Sequence, residues 1–455
     1  MSLLQRLLHV LFLMILFAWP VAESVTGSAA VRAELTHVDS GHGFTKPELL
    51  RRMAARSRAR VQSLWQPPGR GGNARGVTAP AARGTPDIDS EYLIHFSIGT
   101  PRPQRVALTL DTGSDLIWTQ CACAVCFDQP FRVLNTSASD TLRGVSCFDP
   151  LCTRGGLPVS GCAADDNYCL YVYAYADHSV TTGKIGEDTF TFQAQAPSSK
   201  RGTVVTVPNL RFGCGMFNTG VFKSNESGIA GFGRGPMSLP SQLKVRRFSH
   251  CFTSIMESRT SPVFLGTPDN LQAQANGRIQ SSPFGPNPTG VRSSFYYLSL
   301  KGITVGKTRL PFNTSTFALK GDGSGGTIID SGTGITVFPQ AVFQSLRAAF
   351  VSQVPLLAKD INDMLCFSTE PKKKVPAVPK LIFHLEGADW DLPRENYLLD
   401  IDDEDGTGSW LCVVISWAGD SDMTIIGNFQ QQNMHIVYDL ASNQMVFVPA
   451  RCDKL

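Results

Sequence analysis

Alternating apolar and polar residues mark four regions of the chain as strands. Residues 92–100 alternate before a Gly-Thr turn, and residues 295–305 show the same pattern. Residues 169–183 alternate on both sides of an interruption at 176–179, which predicts a β-hairpin. Residues 436–452 alternate around a polar turn and predict another hairpin. The pattern therefore predicts a chain built mainly from strands.

Two stretches have a helical period instead. Residues 45–65 begin with Thr45 and Glu48, which have the spacing of a capping box, and continue with apolar residues at 49, 50, 53 and 54. Residues 339–354 place apolar side chains three and four positions apart. A chain of 455 residues with 41 Gly and 28 Pro is expected to form two or three domains of all-β or β-rich structure.

Two apolar segments each lead an aspartate into a tight turn. The turns are Asp111, Thr112, Gly113 and Ser114 within residues 108–118, and Asp330, Ser331, Gly332 and Thr333 within residues 326–338. Glycine permits the sharp reversal, and the hydroxyl that follows it can hydrogen-bond the carboxylate. A lone Asp-Thr-Gly is a common surface turn, so either copy alone would be weak evidence for a site.

Each turn is followed at long range by two apolar residues and a glycine. These segments are Gly228-Ile-Ala-Gly231 and Thr424-Ile-Ile-Gly427. We interpret the repeat as a duplicated strand–turn–strand unit, which would bring Asp111 and Asp330 face to face as a carboxyl pair. A disulfide-rich adhesion or wall protein would explain the cysteines of this chain but not the duplicated turns.

These residues resemble the pepsin-type aspartic proteases. The resemblance lies in Asp111-Thr-Gly-Ser with Trp118 seven residues later, in Tyr175, and in Asp330-Ser-Gly-Thr. A Cys-rich insert after the first motif narrows it to the plant nepenthesin-like branch. The resemblance spans residues 92–452 and implies an all-β, bilobal fold with pseudo-two-fold symmetry and an active-site cleft between the lobes.

The resemblance also implies the reaction. Asp111 and Asp330 share one proton; the ionised member activates a water that attacks the peptide carbonyl, and the protonated member donates to the developing gem-diol. Thr112, Gly113, Ser114, Ser331, Gly332 and Thr333 would support the pair. Activity is expected to peak in acid, with no metal and no other cofactor.

The hairpin at 169–183 corresponds to the flap that closes over substrate. By resemblance, Tyr175 orders the flap and Trp118 bonds its phenol. An alternative is an ordinary hairpin with three tyrosines packed on one face. The segment Tyr175-Ala-Asp-His-Ser179 departs from the family's Tyr-Gly-Asp-Gly-Ser, since Ala176 and His178 replace both glycines. If either position needs φ > 0, the tip is strained or differently shaped, and turnover rate and substrate range are affected more than the reaction itself.

Twelve cysteines fit an oxidising compartment. Seven lie between Cys121 and Cys169, and Cys214 makes eight, enough for four bridges whose pairing the sequence leaves open. A metal knuckle is the competing interpretation of the first three. By resemblance, Cys251 pairs with Cys452 and Cys366 with Cys412. Sequons at Asn135, Asn225 and Asn313 are candidates for glycosylation.

The first 24 residues are expected to be a signal peptide, with a signal anchor as the alternative. Residues 25–86 carry ten Lys or Arg against three acidic residues. We interpret them as a propeptide and linker whose cations neutralise the paired carboxylates; a solvated basic linker or a nucleic-acid arm is the alternative.

The predicted lobes are 87–287, with the Cys-rich insert at 121–169, and 288–455. The function that these features favour is a secreted acid endopeptidase made as a zymogen, located in the apoplast or the vacuole. Its expected partners are polypeptide substrates and its own propeptide, with no nucleic acid, no stable membrane anchor and a monomeric state. The rival function is a catalytically silent relative that binds a protein or glycan, as plant xylanase inhibitors do.

Overall fold

The computed structural model describes residues 31–65 and 92–455, apart from short gaps at 154–156, 158, 164–165, 176–178, 195–202, 221, 223–224, 258, 267–274, 290–292, 370–376 and 403–407. The predicted signal peptide, residues 25–30 and 66–86 of the predicted propeptide and linker, and the altered flap positions Ala176 and His178 therefore lie outside the described residues. The predicted lobe boundary at 287/288 falls between two strands, β13 and β14, whose bounds follow.

Strands dominate the chain up to residue 283. They are β1 (Val31–His37), β2 (Tyr92–Ile98), β3 (Gln104–Asp111), β4 (Ile117–Val125), β5 (Arg143–Gly144), β6 (Val159–Cys162), β7 (Cys169–Ala174), β8 (Val180–Ala194), β9 (Thr203–Thr219), β10 (Gly228–Gly231), β11 (Arg247–Cys251), β12 (Ser261–Leu265) and β13 (Gln280–Pro283). The alternation at 92–100 gives β2, and the predicted hairpin gives β7 and β8.

The remaining strands form the second lobe. They are β14 (Tyr296–Leu298), β15 (Leu300–Val305), β16 (Thr308–Arg309), β17 (Thr327–Ile329), β18 (Thr336–Phe338), β19 (Ala358–Ile361), β20 (Met364–Thr369), β21 (Leu381–Leu385), β22 (Ala388–Asp391), β23 (Leu398–Asp402), β24 (Ser409–Val413), β25 (Ile415–Trp417), β26 (Thr424–Ile426), β27 (Met434–Asp439) and β28 (Gln444–Pro449). The predicted C-terminal hairpin is the pair β27–β28.

One sheet joins the two lobes. Among the described residues its order is β13-β28-β27-β11-β12-β1-β2-β3-β10-β4-β9-β8-β7-β6, with β5 beside β8. Strand β1, from the basic leader, lies between β12 and β2 and pairs antiparallel with both. The described part of the second lobe also contains three smaller sheets: β14-β17-β26-β18-β25, β16-β15-β21-β22 and β19-β20-β24-β23. The leader thus contributes one strand to the central sheet.

Among the described residues, four helices accompany the strands: α1 (Lys46–Trp65), α2 (Pro150–Thr153), α3 (Leu239–Gln242) and α4 (Gln340–Val351). Short 3-10 turns lie at Thr136–Ala138, Thr314–Thr316, Arg394–Asn396, Asn428–Gln431 and Cys452–Lys454. The predicted capping box starts α1, because Glu48 N donates to Thr45 Oγ1 at 3.4 Å and Thr45 N donates to Glu48 Oε2 at 3.4 Å. Helix α4 buries Val342, Phe343, Leu346, Ala349 and Phe350, the apolar face that its period predicted.

The duplicated unit is visible in both lobes. Strand β3 runs parallel to β10, which is also antiparallel to β4. In the second lobe β17 runs parallel to β26, which is antiparallel to β18. Each unit therefore carries an aspartate at or just after the end of its first strand and holds it with a strand that arrives about 100 residues later.

Candidate active site

The turn after β3 holds the carboxylate of Asp111 with groups of its own backbone and side chains. Asp111 Oδ1 accepts from Gly113 N at 2.9 Å, and Asp111 Oδ2 accepts from Ser114 Oγ at 2.6 Å. The side chain of Asp111 is 1% exposed. Hydrogen bonds compensate for burial of this carboxylate and fix its orientation.

The turn after β17 repeats this arrangement. Asp330 Oδ1 accepts from Gly332 N at 3.1 Å, and Asp330 Oδ2 accepts from Thr333 Oγ1 at 2.7 Å. Asp330 is also 1% exposed at its side chain. Equivalent positions in the two turns thus make equivalent bonds, which is the local basis of the pseudo-two-fold relation.

Reciprocal hydrogen bonds fasten the two turns to each other. Thr112 N donates to Ser331 Oγ at 3.1 Å, and Ser331 N donates to Thr112 Oγ1 at 2.9 Å. Ser331 Oγ in turn donates to Leu110 O at 3.0 Å. Thr112 and Ser331 are buried, and these bonds satisfy their backbone N–H groups, which would otherwise be costly to bury.

Gly231 and Gly427 lie where the returning strand passes closest to each turn. A Cβ at Gly231 would lie 2.2 Å from Asp115 C, and one at Gly427 would lie 2.7 Å from Ile335 C. A side chain at either position would push the strand away from the turn. The long-range Gly of each repeat is therefore required for the close approach that holds the aspartates.

Tyr175 reaches the site from the end of β7. Trp118 Nε1 donates to Tyr175 Oη at 2.7 Å, and the two rings are tilted with centroids 6.5 Å apart. Burial and the nearby Tyr173 raise the pKa of Tyr175 well above its ordinary value, so its hydroxyl stays protonated. Tyr175 N donates to Ser179 O at 2.8 Å across the base of the flap.

Arg60 of helix α1 lies directly between the two aspartates. Its Nη2 donates to Asp111 Oδ1 at 2.6 Å and to Asp330 Oδ1 at 3.2 Å, while its Nε donates to Asp330 Oδ2 at 2.7 Å. Both carboxyl groups therefore lie within 3.2 Å of one nitrogen. A guanidinium in this position occupies the space between the carboxylates that a water or a substrate carbonyl would need.

One face of α1 fixes Arg60 in this position. Ser57 Oγ accepts from Ile335 N at 2.8 Å, immediately beyond the second turn, and donates to Met53 O at 2.8 Å. Val61 packs in an apolar cluster of the second lobe. Residues 31–61 thus belong to a segment that packs on the fold, rather than to a solvated basic linker.

A second ionic contact ties α1 to the strand before it. Arg56 Nη2 donates to Asp39 Oδ2 at 2.7 Å, and Arg52 Nε donates to Asp39 Oδ1 at 2.8 Å. The side chains of Arg56 and Asp39 are 2% and 1% exposed. Because Asp39 follows β1, these bonds join the strand inserted in the sheet to the helix over the aspartates.

Sequence reasoning missed Asp115. Its Oδ1 accepts from Gly235 N at 2.7 Å, its Oδ2 accepts from Ser294 Oγ, and its N donates to Tyr173 Oη at 3.3 Å. Burial raises the pKa of Asp115 above its usual range. Its position directly after Ser114 was the available signal, but no pattern in the sequence identifies Ser294 or Gly235 as its partners.

The structure pairs all twelve cysteines. Cys251 pairs with Cys452 and Cys366 with Cys412. Around the insert the pairs are Cys121–Cys214, Cys123–Cys126, Cys147–Cys162 and Cys152–Cys169. The three cysteines that suggested a metal knuckle therefore form disulfides.

The three sequons differ in their surroundings. Asn135 and Asn313 are exposed and each caps a short turn. Asn225 is half-buried, and its Nδ2 donates to Val38 O at 3.4 Å and lies 3.0 Å from His42 Nε2.

Within the described residues, no group of three His, Cys, Asp or Glu side chains is arranged to hold a metal ion, and none of the helices is long and apolar enough to cross a membrane.

Comparison with known sequences shows similarity over most of the chain. Residues 92–267 match the family described as Xylanase inhibitor N-terminal, and residues 295–449 match Xylanase inhibitor C-terminal. The chain is 38% identical to aspartic proteinase nepenthesin-1 of Nepenthes gracilis, over 92% of this chain and 89% of that protein. It is 36% identical to aspartic proteinase nepenthesin-2 of the same plant, over 93% of this chain and 90% of that protein. It is 33% identical to aspartyl protease family protein 2 of Arabidopsis thaliana, over 93% of this chain and 86% of that protein.

Solved structures share the fold at lower identity. Edgp superimposes with a TM-score of 0.66 at 22% identity, covering 81% of this chain and 94% of that one. The basic 7S globulin from soybean gives a TM-score of 0.62 at 20% identity, and the superposition covers 80% of this chain and 95% of that one. At these identities the similarity establishes the fold alone.

Proposed function

The chain belongs to the nepenthesin-like branch of the pepsin-type aspartic proteases, and we propose that it is a secreted endopeptidase, made as a zymogen, that cleaves polypeptides in acid. The observation that carries the proposal is the carboxyl pair of Asp111 and Asp330, held by equivalent bonds in two equivalent turns. This pair supplies the acid and the base that peptide hydrolysis requires.

The chemistry follows from the shared environment of the two carboxyl groups. Two carboxylates this close share one proton, so one member is ionised and the other protonated in acid. The ionised member takes a proton from water as the water attacks the carbonyl carbon, and the protonated member donates its proton to the carbonyl oxygen. The resulting gem-diol collapses as the nitrogen gains a proton and leaves. Ser114 and Thr333 keep the two carboxyl groups aligned for both steps.

Closure of the flap would complete the site. Tyr175, fixed by Trp118, sits at the end of the hairpin that faces the cleft. Its neutral hydroxyl adds no charge beside the carboxyl pair, and its ring excludes water from the bound peptide.

Latency is supported by the position of Arg60. In neutral solution the guanidinium binds both ionised carboxylates and blocks the space between them. Acid weakens ion pairs between a guanidinium and carboxylates, so the contact loosens as the pH falls. Removal of residues 25–86 would then open the cleft.

Secretion is supported by the predicted signal peptide and by six disulfides among the described residues. Asn135 and Asn313 present exposed side chains that can carry glycans. This route leads to the apoplast or the vacuole.

The function is tested by acidifying the secreted protein with denatured globin, with and without pepstatin. The expected result is cleavage that pepstatin stops and that the Asp111→Asn variant lacks. Cleavage that persists in Asp111→Asn would refute the chemistry.

A second candidate function is that of a catalytically silent binding protein. The observation that favours it is the match of both halves to the xylanase-inhibitor families. Against it stand the two intact Asp-Thr/Ser-Gly turns and their reciprocal bonds. Absence of cleavage at every acid pH, by protein freed of residues 25–86, would favour this function.

A further inference from the structure

Helix α1 occupies more of the cleft than the space between the aspartates. Arg60 and Val61 lie near one end of its inward face, and Leu50, Met53 and Ala54 lie on the same face toward the other end, at helical spacing. These three apolar residues are at most 1% exposed. They belong to an apolar cluster of the second lobe that is separate from the main core.

The cluster combines side chains from several strands with a disulfide, and it also includes Ile335 and Phe429 beside the second turn. We give the name distal groove to the part formed by Met364, Leu399, Ile401 and Val414 with the cystine Cys366–Cys412. Within β23, Leu398 packs in the main core, whereas Leu399 and Ile401 pack in the cluster with Leu50 and Met53. Alternation along the strand therefore directs these two side chains toward the helix.

Helix geometry places the distal groove at a definite distance from the carboxyl pair. Met53 and Leu50 precede Arg60 by seven and ten residues. At about 1.5 Å per residue, they lie roughly 10–15 Å along the helix from the guanidinium. An extended peptide covers this distance in about three to five residues, at about 3.3 Å per residue.

We propose that the distal groove binds a large aliphatic side chain of the substrate, three to five residues from the scissile bond. The inference rests on the proposed function and adds a specificity determinant to it. When α1 leaves, Leu399 and Ile401 lose the apolar side chains that cover them, and water would contact their surface. A substrate that follows the path of α1 to the aspartates passes this wall, and Leu50 and Met53 show which side chains fit it.

The test uses protein freed of residues 25–86 and a set of decapeptides with one fixed cleavage site. A single leucine is moved through the third, fourth and fifth positions on each side of the scissile bond, with serine at the other scanned positions. At one position the leucine peptide should have about tenfold higher kcat/KM than the all-serine peptide, because burial of part of one aliphatic side chain supplies about that factor.

Variants assign the preference to the groove. Ile401→Thr keeps a β-branched residue in the strand but makes the wall polar, and it should reduce the preference at that position to about twofold. Ile401→Val keeps the wall apolar and should retain it. Leu357→Thr, which changes a side chain 73% exposed elsewhere on the lobe, is the matched surface control and should also retain it.

The outcomes separate this inference from the function on which it rests. Cleavage of every peptide with no position of preference, or a preference that Ile401→Thr leaves intact, would overturn the distal groove while leaving the protease established. Failure to cleave any peptide would refute the proposed function itself, and the groove as a substrate site with it.

Discussion

Replacement of Arg60 by methionine should release the latency of the uncleaved chain. Methionine keeps an unbranched apolar stem in place of the arginine stem but provides no donor. The change removes contacts of 2.6, 2.7 and 3.2 Å to two carboxylates that are each 1% exposed. The helix and its apolar face stay as they are, so the effect should come from the lost ionic contact.

The magnitude follows from the burial of the contact. Removing one partner of a buried, hydrogen-bonded ion pair costs about 3–5 kcal/mol, partly because the remaining charges lose their compensation. At about 1.4 kcal/mol per factor of ten, closure of the cleft by α1 should weaken by roughly two to three and a half orders of magnitude. The effect should be largest near neutrality and smaller in acid, because acid weakens ion pairs between a guanidinium and carboxylates.

The assay is the initial rate of cleavage of a quenched fluorescent peptide between pH 4 and 6.5, with gels to show that the chain is still intact. Arg58→Met is the matched control, because Arg58 binds the half-exposed Asp363 at 2.9 Å and such surface pairs contribute at most about 1 kcal/mol. Intact Arg60→Met should be active where intact wild type and Arg58→Met are latent. Equal latency of all three proteins would refute the role assigned to Arg60.

Two further predictions concern the flap and the acid stability of the fold. Trp118→Phe removes the donor to Tyr175 Oη, so kcat/KM should fall about fivefold. Tyr175→Phe removes the same hydrogen bond and should show the same fall, and the double variant should lose no more than either single variant. Losses that add in the double variant would contradict this. Burial lowers the pKa of His250 from 6.5 to about 3. Between these pH values the unfolded chain binds a proton at His250 and the folded chain does not. The free energy of unfolding therefore falls as the pH drops through this window. The measurement is urea unfolding of wild type and His250→Phe at pH 7 and pH 4. The free energy of unfolding should fall by about 3 kcal/mol less in His250→Phe than in wild type over this change, and an equal fall in both proteins would contradict the prediction.

Local chemistry made the aspartate turns predictable from the sequence. Each turn is a continuous run in which the glycine and the hydroxyl that hold the carboxylate lie within three residues of it. The capping box of α1 and the apolar face of α4 were predictable for the same reason. The duplication added the one long-range fact, because a repeated unit implies a symmetric partner.

Contacts between distant segments were not predictable in the same way. The charge of the leader indicated that cations meet the carboxyl pair, but ten basic residues were candidates. The structure selects Arg60 because the apolar face of α1 sets the register of the helix on the second lobe. Likewise Ser57 meets Ile335 N across 278 residues, and the pairing of cysteines inside the insert depends on how its loops fold.

The central claim is that Asp111 and Asp330 act as one catalytic unit. Its most direct test is kcat/KM at acid pH for Asp111→Asn, Asp330→Asn and the double variant, each freed of residues 25–86 by added wild-type protein that is then removed. Because groups that share one proton and one water cannot act separately, each single change should cost roughly 10³-fold or more, and the double change no more than either. Substantial activity in either single variant, or losses that multiply in the double variant, would contradict the claim.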